Sequence, residues 1–179
     1  MPTMFTKAEF AQLVAEHAMR KDRRRDRGGD MRDIVASIHP RHAQAILDRT
    51  KTVELRRKVW RMGTVIDRMF IYETTPTMLV VGVARVGICH TMPPERLWGH
   101  LGARTGVTRE EFDEYFDGRD EAHGIGLEWS CRYDHPHHIT DLGLERPPQS
   151  WCYVPEPGAG VGGVGGGGGP VVGGEGVAS

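Results

Sequence analysis

Lys51-Thr52-Val53-Glu54-Leu55-Arg56-Arg57-Lys58 is the stretch on which the reading of this chain turns. Val53 and Leu55 alternate with Thr52, Glu54 and Arg56, the period of a strand with one apolar and one charged face. Six basic residues (Arg49, Lys51, Arg56, Arg57, Lys58, Arg61) fall within thirteen positions, against the single acid Glu54. A strand that buries one face and lines the other with fixed cations predicts an anion-binding wall. The anion is a nucleic-acid backbone, a nucleotide or a small carboxylate.

The surrounding segments predict a small α+β domain. Residues 34–38 read as a strand buried on both faces. Pro40 is placed for the first turn of a helix over 40–49, with Ala43, Ile46 and Leu47 inward. Strands follow over 67–73 and 79–89, the second with Gly82 and Gly87 as bends or bulges, and Thr74-Thr75-Pro76 makes the turn between them. Pro93-Pro94 opens a helix through Leu101. Thr108 and Glu111 form a capping box for another, whose outer face is acidic and which Gly118 ends. Strands are expected over 122–133 and 150–154. Short strands broken by helices, with glycines inside the strands, predict a curved barrel rather than a doubly wound sheet.

Two appendages flank this unit. Residues 1–30 carry an amphipathic helix capped by Thr6 and Glu9, with Phe10, Leu13 and Val14 on one face, and then a basic linker, Arg20 to Arg27. The helix is a candidate for docking a partner protein. Residues 31–154 are the compact domain. Residues 155–179 hold 12 glycines in 25 positions and no aromatic residue, so this tail is expected to be disordered.

The totals exclude several classes. At 179 residues and a net charge of -1, the chain is one domain and not a polycation that coats nucleic acid. No apolar run approaches the roughly 20 residues that span a membrane, and the N-terminus lacks a secretory core, which predicts a soluble, cytoplasmic protein. Cys89, Cys131 and Cys152 have neither disulfide-framework nor zinc-finger spacing. Asp134-His135-Pro136-His137-His138 reads as an exposed turn, not a metal site. No cofactor is implied.

Ser37-Ile38-His39-Pro40, the stretch from Lys51, Ile71-Tyr72-Glu73-Thr74-Thr75-Pro76, Gly118-Arg119-Asp120 and Arg146-Pro147-Pro148-Gln149-Ser150 together resemble the ASCH (activating-signal-cointegrator homology) domain of the PUA-like superfamily. The resemblance covers residues 33–154. It implies a PUA-like β-barrel with flanking helices and a cationic cleft, and a role in RNA binding or transcription-linked regulation. Some ASCH-like proteins are amidohydrolases on acylated cytidines, and nuclease activity also occurs in the family. The amidohydrolases use a Lys, a Thr three residues on and a distant Glu. Here Lys51 matches the first, Glu54 stands at the second, and the third falls near Thr105. His39 stands where relatives often carry Lys.

The candidate ligand-binding residues are therefore His39, Lys51, Glu54, Arg56, Arg57, Tyr72 and Arg119, with Lys51 and Glu54 as the candidates for catalysis. Arg56 would grip phosphate bidentately, Lys51 would serve as a point charge or an activated base, and Tyr72 would stack on a base. The plainer alternative is a salt-bridge network on a solvated sheet face. The expected partner is RNA or a nucleotide, with DNA possible.

Overall fold

The computed structural model describes residues 4–6, 8–13, 15 and 31–156. The glycine-rich tail from residue 157 and the basic linker at 20–27 lie outside the described residues. One mixed sheet organises the chain. Its strands are β1 (Met4–Phe5), β2 (Met31–Ile38), β3 (Val53–Arg56), β4 (Val65–Glu73), β5 (Leu79–Met92), β6 (Ala122–His137) and β7 (Trp151–Tyr153). They run in the order β1-β6-β5-β4-β2-β7, and β3 pairs with β6 off that path. The β2–β4 and β1–β6 pairings are parallel, and the other pairings are antiparallel. With helices on its flanks, the sheet curls into the expected PUA-like half-barrel.

Curvature comes from the two long strands. The β5–β6 register shifts between Val80 and Gly82, between Arg85 and Val86, and between Val86 and Cys89, and each shift bends the ribbon. Gly82 has a second role. A Cβ there would lie 2.5 Å from a Leu47 methyl and 2.4 Å from the Cys131 carbonyl oxygen, so only glycine lets the helix pack this close.

That helix, α1 (Pro40–Leu47), starts as predicted. His39 is its N-cap and Pro40 its first residue, and Ala43, Ile46 and Leu47 are buried against the sheet. Two further helices, α2 (Pro94–Leu101) and α3 (Arg109–Tyr115), pack over the other side of β3. In α3 the Thr108 side chain accepts from the Glu111 N–H at 3.2 Å and the Glu111 carboxylate accepts from the Thr108 N–H at 2.8 Å, a complete capping box.

Near the N-terminus the Thr6–Glu9 capping pair is also present, at 2.7 and 3.3 Å. Phe10 and Leu13 are buried in the domain's own second core, where Phe10 stacks on His137 at 3.6 Å between ring centroids. Phe10 and Leu13, on the face expected to meet a partner protein, are covered by this chain itself. The same contact corrects the reading of residues 134–138. They do not form a turn: β6 continues to His137, and although His135 and Pro136 are exposed, His137 is buried against Phe10. No helix among the described residues is long and apolar enough to cross a membrane.

Candidate functional site

Strand β3 is shorter than the alternation predicts, and all four of its residues are buried. Val53 and Leu55 face α2 and α3. The charged face is covered too, by the β2–α1 junction and by residues 148–150. The cations therefore do not form an open wall. They line a cleft of about 330 Å³ bounded by the end of β2, the first turn of α1, β3 and α3.

Lys51 lies on the cleft floor, 2 % exposed. After α1 the chain reverses tightly: Arg49 adopts φ +62° and both Thr50 and Lys51 donate their N–H to the Ala45 carbonyl. This folds Lys51 back under the helix. Its ammonium donates to the Thr105 carbonyl oxygen at 2.5 Å and lies 3.3 Å from the Glu54 carboxylate. Gly106 makes that contact possible. It has φ +68°, and a Cβ on it would come within 3.2 Å of the Lys51 Cβ.

Glu54 bridges Lys51 to Arg56, whose guanidinium reaches its other oxygen at 3.0 Å. Arg56 also donates to the Ser37 carbonyl at 3.0 Å and to the Ser150 carbonyl and hydroxyl at 3.2 and 3.1 Å. Its Nε–H is buried with no hydrogen-bond partner among the described residues. Ser37 is occupied as well, donating its hydroxyl to the Pro148 carbonyl at 2.5 Å.

Burial pushes the Lys51 ammonium below the ordinary lysine range, and the Glu54 charge only partly opposes it. His42, on α1, is held below its ordinary value of 6.5, first by burial and then by the Lys51 charge, so it is neutral at pH 7. Its Nε2 lies 3.3 Å from the Arg41 guanidinium. Because arginine only donates, Nε2 is the acceptor and the proton sits on Nδ1, which is buried without a partner among the described residues. Arg41 bridges to Glu111 at 2.7 Å across the mouth of the cleft. The lining thus holds three cations (Arg41, Lys51, Arg56) against two carboxylates (Glu54, Glu111), with two histidines beside them.

The structure gathers His39, Lys51, Glu54 and Arg56 in this cleft. Three other candidates stand apart. Arg57 is exposed, and its guanidinium lies 4.5 Å over the Tyr115 ring while Nε donates to the Tyr115 carbonyl. Tyr72 is buried in the second core with Phe70 and Val83, because β4 is a central strand, and it cannot stack on a ligand in the cleft. Arg119 is exposed beyond the end of α3 and lines no part of the cleft. Sequence reasoning missed His42, Arg41, Glu111 and Ser150. The His39-Pro40 and Gln149-Ser150 motifs flank the first and last of these, and helical spacing from Ala43 and Ile46 places His42 at the edge of the buried face of α1.

No family model matches the chain. An ASCH domain-containing ribonuclease from Zymomonas mobilis is 30 % identical over 93 residues, which are 52 % of this chain and 62 % of that protein. The crystal structure of ASCH from Zymomonas mobilis superposes with a TM-score of 0.63 and 26 % identity, covering 69 % of this chain and 88 % of that one.

This chain carries an ASCH domain.

A large ribosomal subunit protein uL22 from Ureaplasma parvum is 23 % identical over 121 residues, 68 % of this chain. The chain spans 39 % of that protein's length. Within the ASCH domain, the position expected to supply the amidohydrolases' distant Glu offers Lys51 a backbone carbonyl instead, that of Thr105. The cleft's second carboxylate is Glu111, engaged by Arg41. Among the described residues no group of three or more His, Cys, Asp or Glu side chains is placed to hold a metal ion.

Proposed function

We propose that this ASCH domain binds single-stranded RNA in the Lys51–Arg56 cleft and cleaves it, in a cytoplasmic setting. The observation that carries the proposal is a desolvated lysine on the floor of a net-cationic cleft, beside an arginine with an unpartnered buried N–H. The similarity to a protein named a ribonuclease supports the choice of RNA.

RNA carries its own nucleophile. Its 2′-hydroxyl attacks the adjacent phosphorus, the P–O5′ bond breaks, and a 2′,3′-cyclic phosphate and a 5′-hydroxyl end result. The step needs one group to take the 2′-hydroxyl proton and one to protonate the leaving 5′-oxygen. Neutral His42 is the acceptor in this reading, through Nε2 once the bound strand draws the Arg41 guanidinium off that nitrogen. Lys51 is the donor, because a desolvated ammonium releases its proton more readily than an ordinary lysine. Arg56 offsets the charge that builds on the phosphate oxygens. DNA lacks the 2′-hydroxyl, so it binds without being cut.

One observation favours a second reading, a non-enzymatic RNA-binding module. Lys51 already holds Thr105 and Glu54, which makes it a fixed charge. Incubating a single-stranded RNA with the wild-type chain and with Lys51→Ala separates the two. Cleavage lost in the variant supports the enzyme, and salt-sensitive binding without cleavage supports the module.

A further inference from the structure

We propose that a second groove, across the 57–64 loop from the cleft, seats a nucleobase of the same RNA strand, one or more nucleotides beyond the phosphate in the cleft. The proposal rests on the RNA reading of the cleft and names an extension of it.

The groove encloses about 690 Å³ between the 59–66 segment and the facing parts of β5 and β6. Its walls are apolar at Val59, Trp60, Val86 and Cys89, and polar at one end, where Thr91 Oγ1 lies 2.8 Å from His123 Nδ1. Burial pushes the Cys89 thiol up to about 11 and holds His123 below its ordinary value, so both are neutral at pH 7. An apolar slot whose polar groups are the neutral Thr91–His123 pair and the Glu121 carboxylate suits a base better than a phosphate, which the carboxylate would repel.

Two features point to nucleic acid rather than a peptide. First, Trp60 is a fixed platform. It meets Trp151 edge-to-face at 5.9 Å, and the Trp151 indole N–H donates to the Lys58 carbonyl at 2.9 Å. Aromatic platforms take any base by stacking, at about 1–3 kcal/mol per base. Second, residues 57–61, which run from the cleft strand into the groove wall, expose Arg57, Lys58 and Arg61, none of which is paired with a carboxylate among the described residues. A backbone that crosses from one site to the other would meet these three cations. The two sites are also joined covalently. Ser150, which Arg56 grips in the cleft, directly precedes Trp151.

The test uses the full chain and 2′-fluoro oligouridylates, which lack the attacking hydroxyl, as a dinucleotide and an octanucleotide. The expected result is that Trp60→Ala weakens octamer binding about tenfold, in line with the loss of one stacked base. Dinucleotide binding is unchanged, and Arg56→Ala weakens both. Because Trp60 also packs on Trp151, a second variant keeps the test sound. Arg61→Glu with Met62→Glu changes two exposed side chains, Met62 being 99 % exposed, and should weaken the octamer alone. If both variants bind the octamer as the wild type does while Arg56→Ala fails, the groove proposal falls and the cleft stands. If the wild type binds neither oligomer, both fall. If the double variant splits a dimer in sedimentation without altering octamer affinity, the groove is a protein face and the proposal is overturned.

Discussion

Lys51 donates its ammonium to the carbonyl oxygen of Thr105, 54 residues further along the chain, at 2.5 Å. The contact ties the cleft floor to the turn after α2. Lys51 is therefore held as a charge in one place, and its burial lowers its proton affinity. Both properties suit a proton donor aimed at a leaving oxygen. Replacing Lys51 by Ala should cut RNA cleavage by roughly a hundredfold or more, the scale of a positioned acid. RNA binding should weaken far less, since Arg56 remains. Cleavage and binding rates measured side by side check this.

Glu54 lies between two buried cations, 3.3 Å from Lys51 and 3.0 Å from Arg56. Removing it leaves like charges facing each other without compensation. Glu54→Ala should lose about 3 kcal/mol of stability, the scale for breaking a buried pair, read as a lower urea midpoint with an unchanged slope.

Asp33 and Arg68 make a similar pair in the sheet, almost wholly buried: two guanidinium nitrogens donate to one Asp33 oxygen at 2.8 and 3.1 Å, and the Arg68 backbone N–H donates to the other at 3.2 Å. They join β2 to β4 at the point where the register shifts. Asp33→Ala should destabilise the fold by about 3–5 kcal/mol and leave the cleft's ligand preference as it was. Thermal unfolding and a binding titration separate the two effects.

The pH response follows from His42, whose folded pKa is depressed. Between that depressed value and 6.5 the unfolded chain binds the proton and the folded chain does not. Stability therefore rises with pH through this window, and the penalty is fully present below it. His42→Gln should remove this part of the slope in urea melts taken from pH 4.5 to 7. Cleavage should hold through this window and fall only below it, as the pH passes the depressed folded value and the acceptor becomes protonated.

Glu111 neutralises Arg41 at the mouth of the cleft. Glu111→Gln frees that cation, so RNA affinity should rise several-fold, of order the effect of one added phosphate contact, with a steeper dependence on salt. Titrations at two salt concentrations measure both.

Much of the fold was legible because its signals are local. The Thr108–Glu111 box and the Pro40 helix start depend on residues a few positions apart. Alternation at Val53–Arg56 marked the two faces of β3, yet it carries no information on what covers each face. The charged face was read as open when it is roofed by Ser37 and by Ser150, which lies 94 residues from Arg56. Tyr72 was drawn toward the site by its place in a motif, although its strand sits in the middle of the sheet. The stretch 134–138 looked like a turn because nothing in Pro136 and its polar neighbours signals that His137 packs inward against Phe10. Helical spacing placed His42 at the edge of the buried face of α1, but its role depends on Lys51 being folded beneath that helix, which no local pattern shows.

The central claim is that the Lys51–Arg56 cleft cleaves RNA, and the most direct measurement is product analysis. A 5′-labelled single-stranded RNA and the DNA of the same sequence are incubated with the wild-type chain and with Lys51→Ala, and the new 3′ ends are identified. The account predicts 2′,3′-cyclic phosphate ends from RNA with the wild type, none from DNA, and none with the variant. Cleavage that persists undiminished in Lys51→Ala, or an RNA left intact by a wild-type chain that binds it, would contradict the account.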